Sequence, residues 1–89
     1  MLGFTLKVEM IAGMSIQDAA RDLVAMAKKL DCAVEARFNY VHVVAFPNDD
    51  AADLAAAYWH ENETATLENP GVAHAAAARV RRQKRGVQP

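Results

Sequence analysis

Between Gly3 and Ile11 apolar and polar residues alternate, with Phe4, Leu6, Val8 and Met10 on one side and Thr5, Lys7 and Glu9 on the other. A period of two is that of a strand with one buried face. After a turn at Ala12-Gly13-Met14 the period lengthens. Ile16, Ala19, Ala20, Leu23, Ala27 and Leu30 recur at helical spacing, and Gln17, Arg21, Asp22, Lys28 and Lys29 take the other side. Ser15 and Asp18 stand where a capping box satisfies the free N–H groups of a first turn, so a helix is expected from Ser15 to near Leu30. The two lysines suit the negative end of its dipole.

The segment Cys32 to Phe46 reads as two strands around Asn39-Tyr40, because Asn tolerates the positive φ of a tight turn. A two-residue loop sets Phe38 against Val41, Arg37 against His42, Ala36 against Val43 and Glu35 against Val44. Val34, Ala36, Phe38, Val41, Val43 and Ala45 then share one face. Glu35, Arg37, His42, Val44 and Phe46 share the other with Thr5, Lys7 and Glu9, a mixed face expected to be open to solvent.

Pro47-Asn48-Asp49-Asp50 ends the strand and starts a second helix, from about Asp50 to Glu61, with Ala51, Leu54, Ala55 and Tyr58 inward and Trp59 one position off that stripe. Thr64–Leu67 reads as a loop or a short edge strand. Asn69-Pro70 suits the start of an alanine-rich helix from Val72 to Lys84, and the last four residues, Gly86 to Pro89, are expected to be a disordered tail.

These elements predict an α+β fold, a small two-layer β-α-β-β-α domain followed by a C-terminal helix. A right-handed first crossover and a central position for the most apolar strand give a three-stranded sheet of order 1-3-2. If Thr64–Leu67 pairs as a fourth strand, the alternative is ferredoxin-like. Residues 1–69 form the domain, 70–85 a basic helix and 86–89 the tail.

Composition narrows the function classes. A chain of 89 residues allows one domain, and 19 of its apolar residues are Ala, which leaves a thin core and little room for a deep pocket. One cysteine, Cys32, makes no intramolecular disulfide and fits a reducing compartment, so a cytoplasmic location is expected. Met1–Lys7 lacks the charged-then-apolar pattern of a signal peptide, and no apolar run approaches the roughly 18 residues of a membrane span.

The net charge of −1 hides a division: residues 1–70 hold 11 acids and 5 bases, residues 71–89 hold 5 bases and no acid. The acids Asp49, Asp50, Asp53, Glu61 and Glu63 are a candidate partner-binding patch, joined on the open sheet face by Arg37, His42, Val44 and Phe46. Against this stands an ordinary solvated helix face. Arg79, Arg81, Arg82, Lys84 and Arg85 are candidate nucleic-acid contacts through charge alone, although cations at a helix end also favour its dipole. His42 beside Glu35 and Arg37 is read as a cross-strand polar cluster. No histidine has the spacing of a zinc motif, and Cys32 has no local nucleophile signature. No catalytic residue, metal or cofactor is assigned, and an enzyme is not expected.

Ser15-Ile16-Gln17-Asp18-Ala19, then Phe38-Asn39-Tyr40-Val41-His42-Val43, then Phe46-Pro47 before an acidic helix entering Tyr58-Trp59, resembles small phage and prophage accessory proteins with a strand-turn-strand of the type F-N-x-V. The resemblance covers about residues 5–62. Tyr40 departs from the Gly often found there. It implies a non-enzymatic protein that binds a host protein or nucleoprotein complex, inhibition of host defence (anti-CRISPR-like) being the most concrete form. It transfers no contact residue. The alternatives are an accessory nucleic-acid-binding protein using the basic helix, and a structural homodimer or assembly factor.

Overall fold

The computed structural model describes residues 5–9 and 13–87. Gly3, Phe4, Met10, Ile11 and Ala12 of the expected first strand and turn, and Gln88-Pro89 of the expected tail, lie outside the described residues. The elements are β1 (Thr5–Val8), α1 (Ile16–Leu30), β2 (Ala33–Phe38), β3 (Val41–Ala45), α2 (Ala51–Asn62), β4 (Gly71–His74) and α3 (Ala75–Val87).

Helix α1 starts as its sequence dictates. Ser15 Oγ accepts the Asp18 N–H at 3.1 Å, while the Asp18 carboxylate pairs with Arg21. Asp31 closes the helix in the left-handed region at φ 53°, beyond Lys28 and Lys29. Leu30, expected to face inward, sits in the last turn and is exposed, and Val24 takes a place in the core. The β2–β3 hairpin has the expected register throughout, and Asn39 supplies the positive φ of its turn at 57°.

The sheet has four strands in the order β1-β2-β3-β4, not three in the order 1-3-2. β3 is interior, as the most apolar strand should be, but β1 pairs parallel with β2, so β2 is interior too. The extra strand fits the four-stranded alternative, with Gly71–His74 in place of Thr64–Leu67 pairing parallel with Val41–Val44. Thr64–Leu67 is a turn closed on itself: the Thr66 N–H donates to Asn69 O at 3.1 Å, and the Asn69 N–H donates to Thr66 Oγ1 at 2.9 Å.

The helix expected from Val72 therefore begins three residues later, at Ala75. An unpaired β3 edge outweighs the helix propensity of Val72 and Ala73. Gly71 opens the ladder by donating its N–H to Tyr40 O at 2.9 Å. At the other end, α3 runs through Gly86 and Val87, which were expected in the tail.

The two parallel pairs point in opposite directions while α1 and α2 pack on the same face. One of the two β-α-β crossovers is therefore left-handed, against the usual rule, and the order 1-3-2 is overturned by the direct pairing of β1 with β2. The core lies between that face (Val34, Ala36, Val41, Val43, Ala45, Ala73) and the helices, where Leu23, Leu54 and Tyr58 are the largest buried side chains. α2 is packed from both sides, by α1 and α3, and fully buried alanines such as Ala19, Ala20 and Ala75 let the backbones approach.

Candidate functional site

With the helices on one face, no described element covers the other face of the sheet, and strand periodicity decides what it displays. β1 contributes Thr5 and Lys7, β2 contributes Glu35 and Arg37, β3 contributes His42 and Val44, and β4 contributes Val72 and His74. Phe46 follows β3 and lies beside His74.

The face divides into two halves. On the β1–β2 side charged groups dominate. His42 Nδ1 lies 2.9 Å from Glu35 Oε2, and with the carboxylate as acceptor the ring proton sits on Nδ1. Lys7 is paired in register with Glu35, and Arg37 with His42. A shallow recess of about 450 Å³ is lined by Lys7, Glu9, Glu35, Arg37 and His42, together with Val8 and Ala36. On the β3–β4 side the character is apolar and aromatic. Phe46 stacks on His74 with ring centroids 5.9 Å apart and planes 18° apart, and Val72 is about half exposed beside them. Val44, expected to be open, is buried, because it is flanked in register by Glu35 on one side and His74 on the other.

The sequence-predicted acidic patch is dispersed. Asp49 Oδ2 accepts the Phe46 N–H at 2.8 Å and fixes the turn after β3. Asp50 caps α2 by accepting the Ala52 N–H at 2.8 Å. Asp53 is 4% exposed, on the side of α2 that faces α3. Glu61 is half-buried against Gly71, which leaves Glu63 exposed at the helix end.

Of the basic residues, Arg79 is half-buried on α3, and Arg81 lines a groove of about 620 Å³ between α2 and α3 with Asp53, Ala56, Trp59, His60, Glu63 and Ala78. The expectations for Arg82, Lys84 and Arg85 fall on side chains outside the described residues. Cys32 is buried and unpaired. Among the described residues no cluster of His, Cys, Asp or Glu could hold a metal ion, and no helix is long and apolar enough to cross a membrane.

Arg37, His42 and Phe46 are thus brought together on the open face, and Asp49 supports Phe46 from behind. Val72 and His74 were missed because their segment read as helix. The alternation of Gly71, Val72, Ala73 and His74 was the available signal, and four residues of alternation are outweighed by the alanine run that follows. Compared with protein-family models, curated proteins and solved structures, the chain gives no significant match.

Proposed function

We propose that this protein is a non-enzymatic interaction module that binds a host protein or nucleoprotein complex through the uncovered face of its sheet. The observation that supports this reading most is the make-up of that face: an aromatic and aliphatic patch of Phe46, His74 and Val72 adjoining the polar cluster of Lys7, Glu35, Arg37 and His42. Aromatic and Arg side chains bordered by polar groups are the usual composition of a binding surface. The recess is shallow and holds one histidine hydrogen-bonded to a carboxylate, which suits recognition of a surface better than enclosure of a substrate. The resemblance to phage accessory proteins favours a host target, with inhibition of host defence as its most specific form.

The test is retention of partners from bacterial lysate, with and without nuclease, by the wild-type chain and by a Phe46→Ala/Arg37→Glu variant. A defined protein complex that survives nuclease and is lost with the variant is the expected result. Retention equal in the variant would overturn the assignment to this face. Retention abolished by nuclease, and by neutralising Arg79, Arg81, Arg82, Lys84 and Arg85, would move the function to the basic helix.

A further inference from the structure

Trp59 is the only tryptophan of the chain, and it is 52% exposed. Its ring stands edge-on to Tyr58, with centroids 5.1 Å apart, on the wall of the groove of about 620 Å³ between α2 and α3. Ala56 and Ala78 line the same groove, and side chains this small leave its space unfilled. Two charges border it from opposite helices. Glu63, just past the end of α2, is exposed, and Arg81, three residues beyond Ala78 on α3, is half-buried. Neither forms an ion pair with a described residue, so within one chain they line one groove without meeting.

We propose that this groove is a self-association surface, on which two copies pack about a two-fold axis with Glu63 of each against the other copy's Arg81 and with both Trp59 rings removed from water. The charges decide the occupant. A phosphate backbone laid in the groove meets the carboxylate of Glu63, and a uniformly basic segment meets the guanidinium of Arg81. Both charges are satisfied only by a surface that carries the same pair in the opposite order. A second copy is such a surface, because in a two-fold interface the contact of Glu63 with Arg81 brings the reverse contact with it. An exposed aromatic ring bordered by polar groups is the kind of anchor such an interface is built around. The pairing uses α2 and α3 and leaves the open sheet face of each copy free, so it is independent of the partner proposed above.

The experiment measures the mass of the full chain in solution by sedimentation equilibrium, over a range of concentrations, and follows Trp59 emission in the same samples. The wild type is expected to approach twice 9.7 kDa, with the emission moving to shorter wavelength as the ring leaves water. Glu63→Arg and Arg81→Glu should each weaken self-association by about tenfold or more, since each sets like charges opposite one another twice. Mixed together, the two single variants should associate, because every charge in the mixed pair again faces its complement. Glu68→Arg reverses an exposed charge outside the groove and should leave the association unchanged. A wild-type mass of 9.7 kDa at every concentration would overturn the proposal. So would a dimer that forms without a shift in Trp59 emission, one that Glu63→Arg leaves intact, or one that Glu68→Arg weakens equally. Single variants that fail to associate when mixed, although their circular dichroism matches the wild type, would also overturn it.

Discussion

Tyr58 is the largest fully buried side chain among the described residues. Its ring is 1% exposed and meets Phe38 edge-on at 5.2 Å and Trp59 at 5.1 Å. Its Oη accepts from Asn39 Nδ2 at 2.6 Å and donates to Asn62 Oδ1 at 3.3 Å, tying the hairpin turn to the end of α2. Tyr58→Phe removes the hydroxyl alone and should cost about 1–2 kcal/mol, whereas Tyr58→Ala also removes the ring and should cost about 3–5 kcal/mol. Urea unfolding of both variants separates the two contributions. Asn39 adds a backbone role at φ 57°. Asn39→Gly keeps the turn and loses the amide bond to Tyr58, and Asn39→Ala loses both, so the alanine variant should be the less stable by about 1 kcal/mol in the same assay. The sequence placed Tyr58 inward and Asn39 in the turn. Their hydrogen bond was not legible, because it joins residues 19 apart whose approach depends on how α2 lies over the hairpin.

At the scale of elements, what could be read were the parts whose information is local. α1 and its Ser15 cap, and the hairpin with its register, follow from a few adjacent residues. Ser15→Ala should cost about 1 kcal/mol and lower the melting temperature without changing the fold. β4 was misread because its conformation is set from outside: the edge of β3 demands a partner, and Gly71–His74 is the segment that reaches it. Gly71 matters there for its missing side chain. A Cβ at this position would lie 3.0 Å from Glu61 Cβ, an atom fixed to the α2 backbone, and 3.1 Å from Glu61 Oε1. Gly71→Ala should therefore push β4 away from α2 and cost about 1–3 kcal/mol. Amide hydrogen exchange would register the change first as faster exchange along β4, with α1 and the β2–β3 hairpin less affected.

For the whole molecule the decisive fact is that α2 is covered on two sides, so the C-terminal quarter of the chain belongs to the packing. Ala73, Ala75 and Ala78 are buried in the common core, and β4 supplies one edge of the sheet. The expectation that residues 1–69 form the domain rested on the change in composition near Pro70, from an acidic body to a basic helix. Charge composition reports where solvent-facing groups change sign, however, and is silent about which alanines are buried. A domain of this size has a stability of only about 5–13 kcal/mol, so losing one sheet strand and one side of α2 leaves too little to sustain a cooperative fold. A chain ending at Asn69 is expected to lose its sharp thermal transition. The full-length chain with Arg81, Arg82, Lys84 and Arg85 all changed to Gln should keep it, since Ala75 and Ala78, the buried positions among the described residues of α3, stay in place. Calorimetry on both would distinguish a helix retained for packing from one retained for charge: if the 1–69 chain unfolds as sharply as the full chain, the basic helix is an appendage and its function lies in its cations.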